Sequence, residues 1–216
     1  MQKILDNYQQ IKLCVPSDTT LTVVTKKHEM DSILPLIQIG HRDFAENYVK
    51  EAQEKWVCLL KNNNSIKLKL IGKLQSNKIQ DALMTFHEIH SIHNIELAYK
   101  IAKEINIHTR TKTFYLQVNI GNEEQKSGIK PEEIIKFFEQ SPLQISGLMC
   151  IPPIGYEPSS YFLLMQNLRK KVESRFNISL KLSMGMSSDF QKAIALGSNE
   201  IRIGSAILGE RTTQLV

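Results

Sequence analysis

The chain has 216 residues, 42% of them hydrophobic and 23% charged, with a formal net charge of +5 at pH 7. That length suits one domain of ordinary size, or a barrel slightly shorter than usual, and the composition excludes disorder and collagen-like repeats. The apolar runs are short and broken by charge, so none spans a bilayer, and Met1-Gln2-Lys3-Ile4-Leu5-Asp6 lacks the apolar core of a signal peptide; a cytoplasmic protein without membrane contact is expected.

The chain reads as regular alternation from end to end. Residues 1–13 predict an entry helix within a short N-terminal extension over 1–18, ended by Pro16-Ser17-Asp18. Leu21-Thr22-Val23-Val24-Thr25-Lys26 is a β-branched, apolar strand with a lysine at its exit. Asp31 predicts the cap of a helix to about Gln38, Arg42-Asp43-Phe44 a short strand, and Glu46–Leu60 a helix carrying Trp56. Lys67–Ile71 alternates as a strand, Ser76–Met84 follows as helix and Glu88–Ile92 as strand. Asn94 caps a helix to about Ile105, with Leu97, Ile101 and Ile105 on one face. The second half repeats the cycle: strand Thr113–Asn119, helix from Pro131 to Glu139, strand Gln144–Leu148, and a helix from Pro158 to about Phe176. Strand Ser179–Leu182, a helix capped by Ser187 or Ser188 and stopped at Gly197, and strand Glu200–Ile203 complete it. Eight such alternations predict a single α/β domain over 1–216, a closed (β/α)8 TIM barrel, with an open doubly wound sheet as the alternative.

In a parallel barrel the ligand site gathers at the C-terminal ends of the strands. There this sequence places Lys26, then Glu46-Asn47-Tyr48, then Gly72, Gln75, Asn77 and Lys78, then Asn119 with the loop Gly121 to Gly128, then Ser183 to Ser188, and finally Gly204-Ser205. The last two loops have the composition of a phosphate site, with glycines that admit close backbone approach and the hydroxyls of Ser187 and Ser205. Taken singly, each glycine is a turn and each serine a cap. Together with a strand-end lysine they describe a phosphorylated aldehyde held as a Schiff base, which is pyridoxal 5′-phosphate (PLP) chemistry. Arg202 on the last strand is a candidate partner for the pyridine nitrogen, where a permanent cation disfavours protonation and weakens the ring as an electron sink.

Other features predict less. Cys14, Cys58 and Cys150 are odd in number and far apart, which argues against disulfides and zinc clusters and for buried thiols. His87, His90 and His93 recur every third residue, a spacing that scatters them over both faces of a strand, so no metal is expected. Lys67, Lys69, Lys73 and Lys78 read as a solvated rim, and the dispersed lysines suit an anionic ligand better than nucleic acid.

The motifs LTVVTK, HRDFAENYVKEA, IGKLQSNKI, QVNIGNEEQKSGI, GLMCIPP and LSMGMSSDFQKAIALGSNEIRIGSAILGER resemble, in order and spacing, the pyridoxal phosphate homeostasis protein family. That family looks like the isolated N-terminal barrel of alanine racemase. The resemblance implies Lys26 as the Schiff-base lysine, Asn47 beside the cofactor, and Arg202 facing the pyridine nitrogen. It also implies Ser187, Gly204 and Ser205 on the phosphate, Met186 within the cofactor-binding set, and Lys126 in cofactor handling. The implied protein is a monomeric, non-catalytic PLP carrier in vitamin B6 and amino-acid homeostasis, with PLP-dependent apo-enzymes as acceptors; the alternative is a small racemase of the same fold. A racemase needs a base on each face of its substrate, and in alanine racemase a further domain supplies the second, for which this chain is too short. Three departures from the family pattern stand out: Lys27-His28-Glu29 after the reactive lysine, Ala45 in place of a glycine, and His93 where aspartate is frequent.

Overall fold

The computed structural model describes residues 2–210. Its strands are β1 (Thr20–Val24), β2 (Asp43–Glu46), β3 (Lys67–Leu70), β4 (Glu88–Ile92), β5 (Thr113–Val118), β6 (Gly147–Cys150), β7 (Lys181–Ser183) and β8 (Glu200–Ile203). They close in sequence order into a parallel barrel. One pairing decides between the two expected architectures: β1 lies beside β2 and also beside β8, with Thr22 opposite Arg202, so the sheet has no edge.

The helices are α1 (Gln2–Leu13), α2 (Met30–Gln38), α3 (Val49–Asn62), α4 (Ile79–Thr85), α5 (Ile95–Glu104), α6 (Ile134–Gln140), α7 (Ser159–Phe176), α8 (Phe190–Ala195) and α9 (Ser205–Leu208). They cover the outward-facing residues of the strands, among them Val23, Phe44, Leu68, Leu70, Leu148 and Ile203, all fully buried. α5 starts as its sequence predicts, with Asn94 accepting from the Leu97 amide at 2.8 Å, but Ile105 falls past its end and is exposed. α1 lies against α9, and Asn7 donates to the Ile207 carbonyl at 3.2 Å.

Several expected boundaries move. β2 runs on to Glu46, and α3 begins only at Val49, because the Glu46 carboxylate is drawn into the layer between barrel and helix. Ala45 therefore sits in an extended strand and not in a turn that would favour glycine. β6 starts at Gly147, three residues later than predicted, since Gln144 is still exposed. The cap of α8 is Asp189 and neither Ser187 nor Ser188; its carboxylate accepts from the Met186 amide at 2.6 Å. Cys150 is buried as expected, whereas Cys14, in the turn after α1, and Cys58, on α3, are exposed.

The barrel interior, usually filled by branched apolar side chains, is polar here. Lys69 is 2% exposed and belongs to no rim. The alternation of Lys67-Leu68-Lys69-Leu70 holds, but the polar face of a barrel strand points at the other strands, and only Lys67 at the lower end reaches water. The Lys69 ammonium lies 3.0 Å from Asp43, 3.2 Å from Glu200 and 3.0 Å from the Thr22 hydroxyl. Burial alone would lower its pKa, but Glu200, Glu88 and Asp43 outweigh that and raise it. One layer higher, His90 meets Glu88 at 2.9 Å and stacks on the Tyr115 ring at 3.9 Å between centroids. Gly147 makes room for that ring: a Cβ there would lie 2.3 Å from it.

Two expectations follow. Lys69→Met leaves Asp43 and Glu200 without their shared cation and lowers the unfolding free energy by about 3–5 kcal/mol, read by urea denaturation. The second concerns His41, which accepts from Tyr8 of α1 at 3.2 Å and donates to the Asp43 carbonyl at 2.8 Å. Burial holds its pKa down from 6.5 to about 4, against the smaller opposing pull of Asp43. Between those values the unfolded chain binds a proton that the folded one refuses, so stability is lost as the pH falls through that window. The urea midpoint declines from neutral pH towards about pH 4, and His41→Gln flattens the decline.

Candidate functional site

The C-terminal ends of β1, β2, β3, β6, β7 and β8 surround a cavity of about 350 Å³, within the usual range for small-molecule sites. The turn after β1 carries Lys26 into its lining. Thr25 donates its amide to the Ala45 carbonyl at 2.9 Å and its hydroxyl to Glu46 at 2.7 Å, and its carbonyl accepts from Lys55 at 2.8 Å. The His28 amide then bonds back to the Thr25 carbonyl at 3.1 Å, which closes a turn through Lys26 and Lys27, with Lys27 in the left-handed region at φ 59°. Glu46 joins the turn to α3: its Oε1 also accepts from Lys55 at 2.9 Å and from the Trp56 indole at 3.0 Å. Burial raises the Glu46 carboxyl above its ordinary value, with Lys55, Trp56 and Thr25 pulling the other way. Glu46 was expected at a strand end beside Asn47; it faces α3 and fixes the backbone from which Lys26 enters the cavity.

Arg202 is buried, 3% exposed, and reaches the cavity wall from β8. It is no surface ion pair. Its Nη1 donates to the Ser183 hydroxyl and its Nη2 to the Cys150 carbonyl, both at 2.8 Å. Burial depresses its pKa from the usual guanidinium value, and burial likewise pushes the adjoining Cys150 thiol up to about 12, so that the thiol stays neutral. Among the described residues the guanidinium is thus held by neutral acceptors and not by a carboxylate.

The rim formed by the loops after β7 and β8 is built from Met186, Ser187, Ser188, Gly204 and Ser205. The Arg202 amide donates to the Gly185 carbonyl at 2.9 Å, tying the loop after β7 to β8, and the Ala206 amide donates to the Ser187 hydroxyl at 3.4 Å. Val24, Ile71, Met149 and Ile151 supply apolar walls. Asn47 lines the cavity with a buried Oδ1 that has no hydrogen-bond partner, an acceptor of the kind a ligand completes. Its backbone is fixed by Gly72, where a Cβ would lie 2.0 Å from the Asn47 carbonyl oxygen.

Seven of the sequence-predicted residues therefore meet in one cavity: Lys26, Asn47, Met186, Ser187, Arg202, Gly204 and Ser205. Lys126 lines a neighbouring cavity of about 270 Å³ that shares Asn47, Ile71 and Ile151 with the first. It is bonded to the Pro152 carbonyl at 3.2 Å and paired with Glu123 at 2.5 Å. Sequence reasoning missed the clamp of Glu46, Lys55 and Trp56, and although it placed Ser183 at a strand end it gave neither Ser183 nor His90 a role behind Arg202.

Known proteins resemble the chain over most of its length. A family model described as alanine racemase, N-terminal domain, matches residues 1–212. A pyridoxal phosphate homeostasis protein from Synechocystis sp. is 36% identical over 215 residues, covering 94% of this chain and 97% of that one. The chain belongs to the pyridoxal phosphate homeostasis protein family. A human protein of that name is 33% identical, covering 88% of this chain and 76% of its own length. The structure of PipY from Synechococcus elongatus is 30% identical and matches without PLP at a TM-score of 0.87 and with PLP bound at 0.85, covering 95% of this chain and 100% of PipY in both cases. Alanine racemase from Clostridium difficile, 15% identical with a TM-score of 0.75 over 59% of its chain, shares the fold.

Within this family member, Gly72→Ala is expected to displace the Asn47 backbone. The overpacking costs about 1–3 kcal/mol of stability, read by denaturation, with a weakened cavity ligand as the accompanying sign.

Proposed function

We propose that the protein binds pyridoxal 5′-phosphate in the cavity at Lys26 and serves its homeostasis without turning over a substrate. The observation that carries this is the lining itself: one amine, one guanidinium, a rim of hydroxyls and glycine, and apolar walls, in a volume suited to a small planar ligand. These residues fit the group. The name of the family's members and the PLP bound in PipY, a relative of 30% identity, support the same cofactor.

When bound, PLP supplies an aldehyde that amines add to and a ring that can accept electron density. Lys26 provides the amine that holds the aldehyde carbon, on a turn locked by Thr25, Glu46 and Lys55. Ser187, Gly204 and Ser205 form the phosphate end, where hydroxyl and backbone donors face an anion, and Met186 lines the cofactor cavity beside them. Asn47 offers its unpartnered amide oxygen to the ligand. Arg202, permanently charged, can donate a hydrogen bond but not accept one, so it would keep a neighbouring ring nitrogen unprotonated, which weakens the ring as an electron sink and disfavours carbanion chemistry. Lys126 is assigned cofactor handling from the adjoining cavity. Apart from Lys26 and Arg202 the cavity lining holds no titratable side chain among the described residues. A two-base racemase needs more.

In this reading residues 1–216 are one PLP-binding barrel that works as a monomer in the cytoplasm, where exposed thiols such as Cys14 and Cys58 stay reduced. PLP-dependent apo-enzymes are the acceptors.

The test is to add PLP, reduce with borohydride and map the labelled peptide by mass. The adduct is expected on Lys26 and is lost in Lys26→Ala; an adduct spread over surface lysines overturns the site. Conversion of L-alanine to D-alanine at an enzyme-like rate by the same preparation overturns the non-catalytic part.

A further inference from the structure

Behind Arg202 a line of side chains runs down through the barrel interior. Arg202 donates to the Ser183 hydroxyl at 2.8 Å, Ser183 lies 3.3 Å from His90 Nδ1, and His90 Nε2 lies 2.9 Å from Glu88. Ser183, His90 and Arg202 are all buried, and none of the functions assigned so far uses His90.

The chemistry of the four groups favours one direction for each bond. A guanidinium only donates, so the Ser183 oxygen accepts from Arg202 and must place its own proton elsewhere. The acceptor at hand is His90 Nδ1. The ring proton then sits on Nε2 and is donated to Glu88. Burial alone would raise the Glu88 carboxyl, but His90 and Lys69 hold it well below the ordinary carboxylate range, so a charged acceptor ends the line. The groups around the ring favour this order: Tyr115 stacks on its face, and Glu200 approaches Nδ1 only to 3.9 Å, too far to take a proton from it.

We propose that His90 is a positioning residue for Arg202: through Ser183, with Glu88 as its anchor, it holds the guanidinium where the cofactor's ring nitrogen lies. The proposal rests on the reading of the cavity as a PLP site. It makes the neutral Nε2–H form of His90 the working one, and it makes the acceptor at Nδ1 the part of the ring that matters.

Two substitutions separate this from simple space filling. The amide oxygen of Asn takes the place of Nδ1 and accepts from Ser183, whereas the amide of Gln reaches the place of Nε2 and leaves Ser183 without an acceptor. In protein loaded with PLP, His90→Asn is expected to keep the absorption band and the cofactor loss rate close to those of the parent. His90→Gln and Ser183→Ala shift the band together and raise the loss rate about fivefold, the effect of one hydrogen bond. Equal effects of Asn and Gln overturn the proposal. Nitrogen NMR of the unloaded protein at neutral pH supplies a reading independent of the cofactor: an Nε2–H neutral ring is expected, and an Nδ1–H or imidazolium ring overturns the proposal. Failure of the parent protein to take up PLP removes the functional reading instead, and the NMR result still decides the order of the bonds.

Discussion

The pairing of β1 with β8 is the constraint on which the site depends. With Thr22 opposite Arg202 and Val23 opposite Ile203, the turn that carries Lys26 comes to lie beside Gly204 and Ser205. These residues stand near opposite ends of the sequence, and in an open sheet of the same strands they need not meet. Closure brings the amine, the guanidinium and the small-residue rim around one cavity, and the parallel direction of every strand puts them at the same end of the barrel.

Closure also creates an interior, and this chain fills it with charge. Strand β8 reads Glu-Ile-Arg-Ile, so its two inward positions carry an anion to the lower layer and a cation to the upper one. Strand β4 likewise points two polar side chains inward, the Glu88 carboxylate and the His90 ring above it. In the lower layer Lys69 joins Asp43 and Glu200; in the upper layer Arg202, Ser183 and His90 lie beneath the cavity. Each buried charge has partners on other strands, which sets their register more tightly than apolar packing would, since the partners must be met in position and not merely in volume.

Much of this was legible in the sequence. The alternation of strands and helices and the residues at strand ends were read correctly, because hydrophobic periodicity and position along a strand are local properties. What was missed depends on which face of a strand looks where. In a barrel both faces are buried, so polarity does not tell the interior from the helix-covered side. Lys69 therefore passed for a solvated rim residue, although its carboxylate partners arrive from β2 and β8, and Glu46 passed for a site residue, although it faces α3 and Trp56. Asp189 displaced two equally plausible serines as a cap, its carboxylate bonded back to the Met186 amide in the preceding loop. His90 carried no usable signal, since its meaning lies in Ser183 on another strand.

The two groups that would act on the cofactor are both held from outside the cavity. Lys26 stands on a turn clamped by Glu46 and Lys55 on the helix side, and Arg202 is gripped by Ser183 and Cys150 from within the wall. The cavity surface is left with apolar walls, hydroxyls and one unpartnered amide oxygen, and among the described residues it offers no acid or base besides the two cations. A site of this kind can fix a ligand's position at both ends and accept an amine linkage. The polar groups behind the wall anchor the two cations, and that anchoring is what the proposed retention of a ligand draws on.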